Sequence, residues 1–508
     1  MKNVQDRSTS TAQDNSTSKV KPLPHRALIL QGGGALGAYE LGAIKALFEK
    51  LTKEDEKNKD RPLFDIVAGS SIGAVNATVL VSGVLNAQRA NPSQPASEWW
   101  KSAIRDLEQF WQEISQFDYF DNPLLNPLWK GWWDSAGHMA EMNRIYWKIF
   151  FENYQVGFSE VPPFDAWLYY LRPDRYGQVA SAESARRYRS FFLGSTFGIP
   201  KVLGPAMSQS SDLKFLNLGS PLFWRFKNTL TETLDKYWLE GGLPIQTRQG
   251  QPRLVLVSVD VQDCETAVAF DSYPKSDGTC YSEYGGEKKR TVRYEGIEKP
   301  HLLASMATHQ LYEFPHMSVE GEQRYFWDGA YLSNTPLREV LHLHRDYWNV
   351  DEKSVPDLEV YIIDLYPATE KDVPQDPNSI QDREIDIKFH DKTKYDLTVA
   401  SIVSDYVELV KELEALARKS SPEELDKILD KHPSSRQRDG SKRKQYRDLI
   451  KGRFAIKRSV YVERADDDDT IFGKAFDFSQ ATIRALIDSG YTDAEKAYEK
   501  SISESQQN

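Results

Sequence analysis

Two strand-to-helix passages near the start of the chain constrain its fold more than any other feature. In the first, Ala27-Leu28-Ile29-Leu30 follows Arg26 as a short apolar run and enters Gln31 and Gly32-Gly33-Gly34. Ala38, Leu41, Ala43, Ile44, Leu47 and Phe48 then recur at helical spacing, and the charged stretch from Lys50 to Arg61 ends the helix. In the second, Phe64-Asp65-Ile66-Val67-Ala68 reads as a buried strand. It enters Gly69-Ser70-Ser71-Ile72-Gly73, and the small residues Ala74 to Leu80 continue as a helix. Strand, helix, strand, helix in this order predicts a mainly parallel sheet covered by helices, an α/β fold.

Strand character returns at Arg253 to Val261, around Tyr325-Phe326-Trp327, and at Leu358 to Leu365. Between the early helices and the first of these, residues 88–240 are rich in Trp, Tyr, Phe, Pro and Asn and read as irregular helices and loops. Residues 395–465 carry dense charge at helical periods, which reads as a solvated helical face. No internal repeat is visible.

Composition narrows the function. The 508 residues hold 75 Asp+Glu against 64 Lys+Arg, a formal net charge of −11. That balance argues against nucleic acid as the main partner, because phosphate binding leans on clustered cations. No apolar run reaches the roughly 18–20 residues that span a bilayer. The longest candidate, Ala77 to Ala87, is broken by Ser82, Gly83 and Asn86. The polar residues 1–25 contain no signal-peptide core, and Cys264 and Cys280 make neither a disulfide framework nor a zinc site. The expectation is a cytoplasmic protein with no metal motif and no cofactor.

Gly69-Ser70-Ser71-Ile72-Gly73 is a G-x-S-x-G between a strand and a helix. Such a turn holds its serine exposed, where the hydroxyl can attack, and the flanking glycines relieve a crowded backbone. The loop Gly32-Gly33-Gly34-Ala35-Leu36-Gly37 presents bare backbone N–H groups at a helix N-terminus, a setting for negative charge. It has two readings. Gly32, Gly34 and Gly37 fit a dinucleotide fingerprint, which needs an acid at the end of the second strand. Here that strand ends in Gly69-Ser70-Ser71, which counts against a nucleotide. The other reading is an oxyanion hole beside Ser71. For a general base, an ordinary α/β-hydrolase would use histidine and place its nucleophile after several strands, whereas Ser71 follows the second. His301, His309 and His316 lie near a candidate site segment, without a motif that marks them as catalytic. Asp328, in Trp327-Asp328-Gly329-Ala330, ends a short aromatic strand and is the remaining candidate. It is also readable as a simple Asp-Gly turn.

Together these motifs resemble the patatin-like phospholipase family, in its bacterial type with a large insertion and a C-terminal extension. The family carries G-G-G-x-x-G, then G-x-S-x-G, then D-G-[GA], in the order seen here. Tyr331 to Leu337 resembles the family's N-x-P continuation, and Leu302-Leu303-Ala304-Ser305 with Phe314-Pro315 resembles its A-S…P element. The resemblance covers about residues 26–340. It implies a three-layer α/β/α fold and a serine lipid acyl hydrolase acting on carboxylic esters. It further implies Ser71 as nucleophile, Asp328 as general base and Gly32, Gly33 and Gly34 as the oxyanion hole. Gly37, Gly69, Gly73, Gly329 and Ala330 support the motifs. A carboxylate can activate a serine if desolvation raises its pKa. One departure is Leu36, where many members have Arg or Lys. The alternatives are a catalytically silent lipid-binding scaffold on the same fold and, less favoured, a nucleotide-binding oxidoreductase.

The expected organisation is a disordered tail at 1–25, a catalytic domain in two parts at 26–87 and 241–380, an aromatic-rich cap at 88–240, and a charged helical extension at 381–508. Within the extension, Phe478 is expected as an anchor and Ser479 as the N-cap of a helix from Ala481 to Ser489. Expected partners are a lipid or other ester substrate, with peripheral membrane contact; nothing in the sequence fixes the oligomeric state. Of 12 Trp, eight (Trp99, Trp100, Trp111, Trp129, Trp132, Trp133, Trp147 and Trp167) fall within 69 residues of the inserted segment. They read either as a lipid-facing surface over Ser71 or as the segment's own core.

Overall fold

The computed structural model describes residues 23–115, 187, 190, 199, 201–202, 229–286, 288–308, 315–345, 355–370, 373–374, 377–431, 445–447, 454–464 and 473–507. Its first elements follow the sequence pattern. They are β1 (His25–Leu30), α1 (Gly37–Glu54), β2 (Ile66–Ser70), α2 (Ile72–Ala90) and α3 (Ala96–Ile114). A short helix, α4 (Leu230–Leu234), precedes β3 (Arg253–Asp260) and β4 (Asp263–Asp271). Then come a hairpin of β5 (Cys280–Tyr284) and β6 (Arg290–Tyr294), helix α5 (Lys299–Met306), β7 (His316–Val319) and β8 (Glu322–Asp328). Next are α6 (Leu337–Arg345), β9 (Leu358–Asp364), α7 (Pro377–Phe389), α8 (Thr393–Ser420), α9 (Pro422–Leu429), β10 (Ile456–Glu463) and α10 (Gln480–Gln507).

The main sheet runs β10-β9-β1-β2-β3-β8-β7, with β4 also paired to β3. The strands from β10 to β3 are parallel, and β8 and β4 are antiparallel to β3. Alternation along the strands divides the buried side chains between two cores. Leu28, Leu30, Val67, Leu254, Leu256, Tyr361 and Ile363 face one side, with α1, α2 and α3. Ala27, Ile29, Ile66, Ala68, Val255, Val360 and Ile362 face the other, with Leu337 and Val340 of α6. A sheet buried on both faces reads as continuous apolar runs, which is why β1, β2 and β9 are plain in the sequence.

Two expectations about the outlying segments change. Residues 88–115 are not irregular: α2 runs to Ala90, and α3 buries Trp100 and Trp111 in the main core. Trp99 packs partly against the same core, whereas Trp129, Trp132, Trp133, Trp147 and Trp167 lie outside the described residues. Most of the expected polar tail, residues 1–22, lies outside them too. The segment 381–508 is not wholly helical, because β10 closes the parallel end of the sheet against β9. Helix α10 lies on α1 so closely that a Cβ added to Gly42 would sit 1.9 Å from the Ile487 carbonyl oxygen. One on Gly490 would sit 2.0 Å from that of Tyr39. Gly42→Val is therefore expected to force these helices apart and to cost several kcal/mol, as overpacking against backbone does. A thermal melt with an unchanged midpoint would contradict this packing.

Charge explains how β10 is seated. Arg26 of β1 is fully buried, with Nε 3.0 Å from Glu359 and Nη2 3.1 Å from Glu54. Arg458 of β10 bonds the same two carboxylates at 2.9 and 2.8 Å. Two guanidinium groups shared by two carboxylates satisfy charges that would be costly if left single. No helix among the described residues is long and apolar enough to cross a membrane.

Candidate active site

Strand β3 brings the two motif residues together. Its Val257 stands opposite Ser70 at the end of β2, and its next residue, Ser258, stands opposite Asp328 at the end of β8. The ends of β2 and β8 therefore meet along one strand. A Cβ on Gly329 would lie 2.6 Å from Ser70 Oγ and 2.3 Å from the Val257 carbonyl oxygen. Only a glycine after the aspartate lets the two strand ends approach this far.

Ser71 caps the N-terminus of α2 at φ 52° and ψ −123°. This conformation is rare for a residue with a side chain and costs about 1–3 kcal/mol. The glycines on either side make the turn fit. A Cβ on Gly69 would sit 2.3 Å from Gly73 C, and one on Gly73 would sit 2.5 Å from the Leu30 carbonyl oxygen. The Ser71 N–H donates to the Ser305 carbonyl at 3.0 Å, and Ser305 Oγ donates to the Val257 carbonyl at 2.5 Å. Further on, the Pro315 carbonyl accepts the Phe326 N–H at 3.0 Å. The A-S…P residues thus brace the strand ends that carry Ser71 and Asp328. Phe314 and His309 fall outside the described residues.

Asp328 is buried, and one carboxylate oxygen accepts the Ala330 N–H at 2.9 Å. Burial raises its pKa to about 7, against the opposing influence of the Ser71 hydroxyl and the Ala330 N–H. The Ser71 hydroxyl is thus near enough to favour the charged carboxylate, yet Oδ2 has no well-formed hydrogen bond. Catalytic hydrogen bonds are often loose before substrate binds. The neighbouring histidines differ in kind. His301 is buried with its pKa lowered to about 4, and its Nδ1 accepts the Glu298 N–H at the start of α5. It packs on Phe270 and Tyr294, a structural role. His316 is exposed on the edge strand β7.

The glycine loop differs from expectation at Gly32. Its N–H is already engaged by Asn334, with Oδ1 at 3.1 Å and the carbonyl oxygen at 3.3 Å. Asn334 Nδ2 in turn donates to the carbonyls of Gly32 at 3.2 Å and Phe389 at 2.7 Å. A donor bound in this way is not free for an oxyanion, so the expected trio is corrected to two. Among the described residues, the N–H groups of Gly33 and Gly34 have no acceptor. Gly32 instead packs against Ser71, since a Cβ on it would lie 2.8 Å from Ser71 Cβ. Gly34 has φ +59°, and a Cβ there would lie 2.3 Å from the Ala475 carbonyl oxygen.

Two residues that sequence reasoning missed hold this loop. The Gln31 carboxamide accepts the N–H groups of Leu365 and Tyr366 at 2.6 and 3.1 Å. Its nitrogen donates to Thr335 Oγ1 at 2.8 Å and to the carbonyls of Phe389 and His390 at 3.3 and 3.2 Å. Asn334 is the second. Its place in N-x-P was visible, but nothing in the sequence said which backbone it would grip. Beneath the loop, Glu40 is fully buried and burial pushes its pKa well up, which favours the neutral acid. It is bonded by the Gln31 N–H and by Asn76 Nδ2, and Asn76 Oδ1 accepts Trp111 Nε1 at 3.0 Å. Leu36 is buried in the same core, so a cation at that position would be placed among apolar side chains.

The arrangement is a strained serine at a strand-to-helix junction, a buried carboxylate beside it, and a loop with free backbone donors. Chemically, such an arrangement, set here on a layered α/β fold, can support nucleophilic attack by a serine. Residues 28–196 match the family model of patatin-like phospholipases. Over those residues the chain is similar to that family. Among solved structures, the chain is similar to VipD from Legionella pneumophila. The identity is 12% over 95% of this chain and 68% of that chain, with a TM-score of 0.31, too low to support any further reading. No curated protein sequence matches the chain.

Proposed function

We propose that this chain is a serine lipid acyl hydrolase that cleaves carboxylic esters through Ser71 and Asp328. The observation that carries the reading is the register of β3, which sets the strained Ser71 against the buried carboxylate of Asp328. Ser71 Oγ attacks the ester carbonyl carbon while its proton passes to the Asp328 carboxylate. The carbonyl oxygen takes the negative charge and is held by the Gly33 and Gly34 N–H groups. The C–O bond then breaks, and the leaving alkoxide takes the proton from Asp328. Water repeats the sequence on the acyl-enzyme and releases the fatty acid. The family match points the ester toward lipids, and peripheral contact with a lipid surface follows from such a substrate.

The test is turnover of phospholipids, lysophospholipids, triacylglycerols and short p-nitrophenyl esters by the purified chain. In parallel, mass spectrometry locates a fluorophosphonate adduct. Hydrolysis with the adduct on Ser71 is expected. A folded chain that neither labels nor turns over any ester is a silent lipid-binding scaffold, and the reading fails.

Asn334 supports the reaction by position alone. Asn334→Ala removes the side-chain bonds to the Gly32 N–H, the Gly32 carbonyl and the Phe389 carbonyl together, leaving only the main-chain carbonyl on the Gly32 N–H. We expect kcat to fall about 10- to 100-fold with KM little changed, because the loss is in transition-state stabilisation. Equal losses in labelling rate and kcat would agree; a pure KM effect would not.

A further inference from the structure

Helix α8 carries an apolar stripe that the fold leaves uncovered among the described residues. Tyr395, Val399, Ile402, Tyr406, Leu409, Leu413 and Leu416 follow one another at steps of four, three, four, three, four and three. That is a heptad repeat, with Tyr395, Ile402, Leu409 and Leu416 at d and Val399, Tyr406 and Leu413 at a. Val403 and Val410, at e, widen the stripe. The opposite side of the helix faces its own domain: Leu397 packs into the second core, and Ser404 is buried, with Oγ accepting the Ile456 N–H at 3.3 Å. These nine apolar side chains are between 39% and 68% exposed. They expose on the order of 800 Å², about what one side of a stable interface buries and more than a monomer usually leaves open.

We propose that this stripe is a dimerisation seam, on which a second copy of the chain lays its own α8 in parallel as a two-stranded coiled coil. The period argues for a helix as the occupant. A 3.5-residue repeat keeps the seam facing one partner helix over its whole length. The flanking charges choose the orientation. In a parallel pair each g residue faces an e residue of the other copy, so Asp405 meets Val410 and Glu412 meets Ala417. In an antiparallel pair g faces g, which sets Asp405 against Glu412 or against its own copy. Only the parallel pair keeps the acids apart. The sequence reading took this segment for a solvated charged face, because its Lys, Asp and Glu residues mask the stripe between them.

The test is sedimentation velocity of the full chain at about 10 μM, since a dimer is concentration-linked. We expect a dimer. Leu409→Glu with Leu413→Glu should give a monomer with an unchanged circular-dichroism spectrum, because both side chains are exposed. Orientation is read from Leu416→Cys in a Cys264→Ser background, which removes the exposed native thiol. A parallel pair places the two new thiols at the same level, so oxidation should link the copies. A monomeric wild-type chain, a dimer unmoved by the two glutamates, or a dimer that fails to cross-link at position 416 each overturns the proposal. A monomer that floats with phosphatidylcholine–phosphatidylglycerol vesicles, and loses this in the double variant, also overturns it and assigns the stripe to lipid. None of these readouts uses ester turnover, so the result is independent of the proposed hydrolysis.

Discussion

Asp328→Asn is expected to lower ester turnover to background while making the protein more stable at alkaline pH. An amide cannot accept the Ser71 proton, so the attack step loses its base. General-base catalysis contributes on the order of 10²–10⁴-fold, and the loss should be of that size or more. The stability effect follows from the same burial. The carboxyl has a pKa of about 7 in the folded chain against an ordinary value of 3.8. Between those values the folded state holds a proton that the unfolded state has released. Stability therefore falls as pH rises through this window and levels above it. About three units correspond to roughly 4 kcal/mol. The asparagine has no such dependence. Asp364 and Asp382 also have pKa values raised to about 7 by burial, but they are common to both proteins and cancel in the comparison. Denaturant melts at pH 4 and pH 8 should show the two proteins alike at the lower pH and the variant ahead at the higher. The wild-type rate should rise with pH and level off above about 7, as a base of that pKa requires. Turnover by the variant near the wild-type level would mean that another group is the base.

Ser71→Gly is expected to abolish both turnover and fluorophosphonate labelling and to leave the melting temperature unchanged or higher. The hydroxyl goes, and with it the nucleophile. Glycine accepts φ 52° and ψ −123° without the strain that a side chain carries there. Some of that gain is offset by the freedom glycine has when unfolded, so a net rise of about 1 kcal/mol is expected. A strained nucleophile traded for stability is the usual relation between a site and its scaffold. Labelling that persists in the variant would remove Ser71 from the reaction.

How far the sequence was legible depended on what each residue faces. β1, β2 and β9 are buried on both sides and stand out as apolar runs. The elbow glycines stand out because no other residue fits them. β10 was hidden for the opposite reason: it lies at the sheet edge, and Lys457 and Arg458 interrupt its apolar residues. Its Arg458 neutralises Glu359 of β9 and Glu54 of α1, the latter a pairing across 404 residues that no local pattern announces. Ser479 stands where it was expected, just before the last helix, and its carbonyl accepts the Ile483 N–H at 2.9 Å; its hydroxyl donates to Asp477 at 2.7 Å, and the same carboxylate accepts the hydroxyl of Thr482 at 2.6 Å. Phe478 is the anchor expected of it, stacked on Trp111 with centroids 6.2 Å apart. Asn334 and Gln31 were beyond reach because their work is to grip backbone, and a backbone partner leaves no trace in residue type.

The turn around Ala475 and the helix after it have a consequence for timing. Ala475 walls the glycine loop, and α10 covers α1, the helix that this loop begins. These pieces leave the ribosome hundreds of residues after the loop and the serine. Contacts so distant along the chain form late and slowly. A nascent chain that has already released Ser71 into the cell still lacks the wall of its oxyanion loop. The glycine loop of the proposed site is therefore walled only once synthesis has passed Ala475.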